Sequence, residues 1–136
     1  MSAVGVVGVI GSGQLARMMV PAAVRLGVEI RVLADAAGAS AGIAATAIGD
    51  HRDPDAVLAF ARGVDVVTFD HEHVPPAHLE QLEAMGVAVR PGPAALFHAQ
   101  DKIHMRQALS DIGIPCPRWR VVTEVAEVVE FADEVQ

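Results

Sequence analysis

Val4-Gly5-Val6-Val7-Gly8-Val9-Ile10-Gly11-Ser12-Gly13-Gln14-Leu15-Ala16 reads as a buried strand, a glycine turn and the start of a helix. A continuous Val- and Ile-rich run of this length suits a central parallel strand covered on both faces. Gly11 and Gly13 let the chain turn sharply and bring its backbone close to a ligand, while the helix that follows opens with exposed amides. A phosphate fits that place. The pattern Gly11-x-Gly13-x-x-Ala16 does not by itself specify a dinucleotide, because the same turn recurs in many α/β proteins.

Outward from this stretch, strands and helices alternate. Leu15, Met18, Met19, Ala22 and Leu26 repeat at helical spacing and predict a core-facing stripe, with Pro21 inside the helix and Gly27 closing it. Val28–Ala34 reads as a second strand ending at Asp35, about 22 residues beyond Gly13, where a dinucleotide fold keeps its ribose-binding carboxylate. Residues 36–49 form a small-residue segment with a brief strand near Thr46–Ile48. Asp53-Pro54-Asp55 supplies an N-cap, a first-position proline and an acid in the first turn. Val64–Phe69 is another strand and delivers Asp70-His71-Glu72-His73 to its carboxyl end. Pro75 or Pro76 opens a helix through Leu79, Leu82 and Met85, and Val87–Val89 follows as a short strand. Asp101 caps a helix carrying Met105, Leu109 and Ile112. Ile114-Pro115-Cys116-Pro117 reads as a linker, Arg118–Val122 as a strand and Glu124–Glu134 as a helix.

This order predicts an α/β fold: an open, mostly parallel Rossmann-like sheet with helices on both faces. In such sheets ligands bind outside the carboxyl ends of the strands, and the glycine turn and the Asp70–His73 segment share that edge. Strand alternation places Asp70 and Glu72 on one face, suited to accepting hydrogen bonds from sugar hydroxyls or an amine. His71 and His73 fall on the other. With His78 they suggest zinc, but their spacing matches no zinc pattern, and no metal site is predicted.

Composition narrows the function classes. A formal net charge of −7 argues against a nucleic-acid partner, which calls for a basic face. No apolar run reaches the roughly 18–20 residues of a membrane span, and no basic segment precedes Val4 as in a signal peptide. The single Cys116 fits a reducing cytoplasm. Nine arginines accompany one lysine, Lys102, beside the Asp101 cap, where a compact ammonium suits a phosphate.

Four segments, in this order and spacing, resemble the 5-(carboxyamino)imidazole ribonucleotide synthase family of ATP-grasp enzymes. They are Gly11-Ser12-Gly13-Gln14-Leu15-Ala16-Arg17-Met18; Asp65-Val66-Val67-Thr68-Phe69-Asp70-His71-Glu72-His73-Val74-Pro75; Gln100-Asp101-Lys102; and Gly113-Ile114-Pro115 with Trp119. The resemblance implies a pre-ATP-grasp domain over residues 1–113, with 114–136 the linker and start of an incomplete ATP-grasp domain. It implies a cytoplasmic ligase of purine biosynthesis, in a family commonly dimeric. Such an enzyme uses ATP and Mg²⁺ to activate bicarbonate, through carboxyphosphate, and carboxylates the exocyclic amine of aminoimidazole ribonucleotide.

Carried over residue by residue, Gly11, Gly13, Gln14 and Leu15 approach the ribonucleotide. Asp70 stands where the family usually has glutamate for the same ligand, and Glu72 is the second acid of that motif. Lys102 matches a basic position that contacts ATP. No catalytic residue falls within these 136 residues, which by themselves are expected not to turn over. Two other readings share the glycine turn: another ATP-grasp ligase of nucleotide metabolism, and an NAD(P)-binding oxidoreductase domain using Asp35.

Overall fold

A computed structural model describes residues 5–134, so the Val4 start of the predicted first strand lies outside the described residues. The chain divides into two compact units, Met1–Phe97 and His98–Gln136.

The first unit is built on a five-stranded parallel sheet of order β3-β2-β1-β4-β5. Its strands are β1 (Val6–Ile10), β2 (Glu29–Ala34), β3 (Ala45–Ile48), β4 (Val66–Phe69) and β5 (Ala88–Val89). The helices α1 (Gln14–Leu26), α2 (Pro54–Ala61) and α3 (Pro76–Ala84) form the crossovers, and α4 (Pro93–Gln100) follows β5. Parallel strands require such crossovers, and the repeated strand–helix alternation supplies them.

Alternation along the strands feeds a core on each face. Ile10, Leu33, Val67 and Val89 pack with Val57 and Phe60 of α2, Leu79 and Leu82 of α3, and Leu96 of α4. On the opposite face Val9, Val32 and Ala34 meet Ala16 of α1 and Ala41. Gly8 in the central strand makes room for the first of these layers: a Cβ there would lie 2.9 Å from a Val64 methyl and 3.0 Å from the Phe60 ring.

Helix ends follow the sequence closely. The Asp53 carboxylate accepts the Asp55 N–H at 3.0 Å, with Pro54 in the first turn. Gly27 closes α1 in the left-handed conformation, φ 65°. The helix also continues through Pro21.

Two expectations are corrected. Leu15, Met18 and Leu26 are 58%, 66% and 77% exposed, whereas Ala16 and Ala23 are buried. The α1 stripe that meets the sheet is thus Ala16, Met19 and Ala23, whose small end residues let the helix approach the strands closely. Likewise Met85 lies exposed beyond α3.

In the second unit α5 (Lys102–Asp111) is capped by Asp101, whose carboxylate accepts the His104 N–H at 2.8 Å. Ile112, expected on one apolar face of this helix with Met105 and Leu109, is 71% exposed. Arg118–Val122 forms no strand. A strand persists only where a neighbour takes up its backbone hydrogen bonds, and this segment has none among the described residues. It is tied instead to α6 (Val125–Glu134): Arg118 and Arg120 both pair with Glu134, and the Arg120 guanidinium lies 5.5 Å from the Phe131 ring centroid. Among the described residues no helix is long and apolar enough to cross a membrane.

Candidate functional site

The order in which the chain adds strands reverses between β1 and β4, the place where open α/β sheets leave a crevice. Those strands end together, with Ile10 opposite Phe69. Gly11 and Asp70 therefore leave the sheet side by side. Their first hydrogen bonds still belong to it: the Asp70 N–H donates to the Ile10 carbonyl and the Gly11 N–H to the Leu33 carbonyl, both at 3.1 Å.

Beyond that point the turn and the acid are fitted to each other. Gly11 has φ +102°, and a Cβ on it would fall 1.9 Å from Asp70 Oδ1. Gly13 has ordinary extended backbone, yet a Cβ there would lie 2.8 Å from Asp70 Oδ2. Its N–H donates to that same oxygen at 2.6 Å. The Asp70 side chain is only 4% exposed. Its carboxylate sits at the N-terminus of α1, where an anion is favoured by the helix dipole.

The place at the glycine turn suited to a phosphate is thus taken, in part, by the protein's own carboxylate. A second anion beside it would meet like charge with little solvent between. Asp70 Oδ1 is buried without a hydrogen-bond donor among the described residues.

β4 stops at Phe69, and residues 70–73 form bends and turns. Strand alternation therefore does not extend to them, and Asp70 and Glu72 differ: the first is buried, the second 46% exposed. Gln14 and Leu15 lie exposed at the start of α1. The first unit therefore brings Gly11, Gly13, Gln14, Leu15, Asp70 and Glu72 to one edge of the sheet. Lys102 opens α5 in the second unit, exposed and with no ion-pair partner among the described residues.

Sequence reasoning missed two groups here. His51, in the loop after β3, brings its ring edge-on to His71 with centroids 4.6 Å apart, and His73 lies 5.6 Å beyond. His51 Nδ1 is 3.4 Å from Asp35 and 3.7 Å from Asp50. The parallel topology was the available signal, since every loop after a strand returns to the same edge. Ser40 is the second group. Its hydroxyl donates to Gln14 Oε1 at 2.7 Å, from a segment too poor in distinctive residues to single it out. Among the described residues no three His, Cys, Asp or Glu side chains are grouped to hold an ion.

Burial, and next the neighbouring His51, hold the His71 pKa below its ordinary value, against the opposing pull of Asp70 and Asp35. Its Nδ1 faces the His73 N–H at 3.1 Å and acts as acceptor there, which places the neutral ring's proton on Nε2. The stability consequence has a definite sign. The unfolded chain, with the higher pKa, binds more protons across the window below about 6.5, so stability falls as pH drops through it. Urea unfolding from pH ~8 to ~5.5 is expected to show that loss, and His71→Gln to flatten the slope. An equal slope in the variant would remove His71 as its source.

Against this geometry stand the comparisons with known proteins. The family model described as ribonucleotide synthetase preATP-grasp domain matches residues 4–100. N5-carboxyaminoimidazole ribonucleotide synthase of Corynebacterium ammoniagenes is 45% identical over 93% of this chain and 31% of its own length. The enzyme of that name from Mycobacterium bovis is 47% identical over 95% of this chain and 30% of its own. Among solved structures, N5-carboxyaminoimidazole ribonucleotide synthetase from Thermus thermophilus superposes with TM-score 0.81 at 31% identity, over 96% of this chain and 36% of that one. The synthase from Aspergillus clavatus, in complex with ADP and 5-aminoimidazole ribonucleotide, gives TM-score 0.79 at 34% identity, over 98% of this chain and 37% of that one. The chain thus spans about a third of the length of the relatives it matches. A parallel sheet with the glycine turn and the acidic segment at its switch point, matched across residues 4–100, is the ribonucleotide synthetase pre-ATP-grasp domain, and the chain belongs to that family.

Proposed function

We propose that this chain supplies the acceptor-binding rim of an ATP-dependent carbon–nitrogen ligase of purine biosynthesis. The reaction joins aminoimidazole ribonucleotide and bicarbonate to give 5-carboxyaminoimidazole ribonucleotide, with ATP converted to ADP and phosphate. The observation that carries this reading is the meeting of the Gly11–Gly13 turn with Asp70–His73 at the β1/β4 crevice in a member of this family.

The rim's chemistry suits the sugar or amine end of such an acceptor better than its phosphate. Glu72 offers an exposed carboxylate to hydroxyl or amine donors, Gln14 a carboxamide, and the buried Asp70 repels a second anion. Asp70 serves the ligand from beneath, by fixing the turn through the Gly13 amide.

Residues 1–113 act in this scheme as the pre-ATP-grasp domain, and 114–136 lead into an ATP-grasp domain. Phosphoryl transfer from ATP to bicarbonate gives carboxyphosphate. The exocyclic amine nitrogen attacks its carbonyl carbon, phosphate leaves, and the nitrogen gives up a proton. ATP and Mg²⁺ supply the activation and are held mainly by the ATP-grasp domain. Lys102, an exposed ammonium beside the Asp101 cap, is the residue here suited to meet a phosphate of ATP. Holding acceptor and activated carboxyl group together, away from water, protects an intermediate that water destroys.

Parallel calorimetric titrations with aminoimidazole ribonucleotide, ATP and NADH test the reading. Saturable binding of the ribonucleotide, without NADH binding, is the expected result. NADH binding with no response to the ribonucleotide would overturn it in favour of a dinucleotide site.

A further inference from the structure

We infer that Ser40 is a positioning residue for Gln14: it fixes the carboxamide so that the ligand meets an N–H donor rather than a carbonyl oxygen. The inference rests on the reading that Gln14 faces the ribonucleotide.

The carboxamide of glutamine is ambivalent, with an acceptor oxygen and a donor NH₂ of nearly equal size. On an exposed side chain at the start of a helix the two interchange freely unless a neighbour chooses between them. Here the Ser40 hydroxyl donates to Gln14 Oε1 at 2.7 Å. With the oxygen engaged, the group left to meet a ligand is the NH₂.

Ser40 can hold the carboxamide in this orientation because its own backbone is fixed to the glycine turn. The adjacent Ala41 is fully buried, and its N–H donates to the Ser12 carbonyl at 3.0 Å. The Ser12 hydroxyl in turn accepts from the Asp35 N–H at 3.4 Å. Gly38, at φ +81°, allows the segment between Asp35 and Ala41 to double back. The loop after β2 is thereby fastened to the turn after β1 at both its ends, and Ser40 projects its hydroxyl from the fastened part. A group held by a rigid support loses little freedom when it orients another, which is what makes positioning effective.

The rim then carries complementary chemistry. Glu72 accepts, Gln14 donates, and a ligand must present a donor and an acceptor in matching places. A ribose hydroxyl or an imidazole nitrogen provides the acceptor that Gln14 requires.

Ribonucleotide titrations of the chain and its variants, together with relaxation of the Gln14 side-chain NH₂ by NMR, separate this inference from the reading beneath it. Ser40→Ala is expected to weaken ribonucleotide binding about threefold to tenfold, the effect of one neutral hydrogen bond. It should also mobilise the Gln14 NH₂. Ser40→Thr, which keeps the hydroxyl, should restore both. Gln14→Glu, which replaces the donor by an oxyanion, should lose at least about tenfold. Unchanged Gln14 relaxation in Ser40→Ala would overturn the inference whether or not the ribonucleotide binds. Ribonucleotide binding that is equal in Ser40→Ala and the parent would also overturn it. Absence of ribonucleotide binding by the parent chain, with Gln14 mobilised in Ser40→Ala, would support the positioning contact and refute the functional reading.

Discussion

Gly11→Ala is expected to destabilise the first unit by about 2–6 kcal/mol and to abolish ribonucleotide binding. Two costs combine. An L-residue at φ +102° is strained by about 1–3 kcal/mol, and the new methyl would occupy the place of the Asp70 carboxylate, 1.9 Å from Oδ1. Overpacking of that kind costs about 1–3 kcal/mol even where neighbours can shift, and here the neighbour is pinned to the Gly13 amide. The two parts are separable. Gly11→Ala in an Asp70→Ala background retains the strain but removes the collision, so the double variant should lose less than the sum of the single losses. Urea unfolding of the four proteins gives the coupling. Strict additivity would mean that the carboxylate and the turn are not packed together.

Asp70→Ala alone is expected to cost about 1.5–3 kcal/mol, the range for a hydrogen bond to a charged group. Ribonucleotide affinity should drop at least about tenfold, because the turn loses the contact that fixes Gly13. Asp70→Asn should fall between Asp70→Ala and the parent. It keeps an oxygen for the Gly13 N–H but loses the charge that favours the start of α1. Hydrogen exchange at the Gly13 amide provides the local readout, with faster exchange expected in both variants and fastest in Asp70→Ala. A parent-like exchange rate in Asp70→Ala would show that another group holds the turn.

Much of this was legible in the sequence because it is local. The apolar run into Gly11-Ser12-Gly13 dictates a buried strand and a turn, and Asp53-Pro54 and Asp101 announce helix starts through their own side chains. The parallel sheet followed from strand–helix alternation, and the sheet brought the two loops to one edge. Other features depended on distance in space. Which face of α1 met the sheet was decided by how closely a helix bearing Ala16 and Ala23 could approach, not by where its largest apolar residues lay. The segment Arg118–Val122 has strand-forming residues but no neighbour to pair with among the described residues.

The interior of the site was the hardest to foresee. Asp70 and Glu72 are alike in sequence spacing but different in exposure, because β4 ends one residue before Asp70 and the chain there turns its carboxylate under the glycine loop. Ser40 and His51 carry no local signature at all. They matter through contacts with Gln14 and His71, which are 26 and 20 residues away along the chain.

Backbone amide chemical shifts recorded while aminoimidazole ribonucleotide is added probe the rim itself. Saturable shifts grouped at Gly11–Leu15 and Asp70–His73, absent in Gly11→Ala, are what a sugar-bearing acceptor seated in the β1/β4 crevice produces. Shifts confined to other parts of the sheet, or the same grouped shifts obtained with NADH and not with the ribonucleotide, would contradict it.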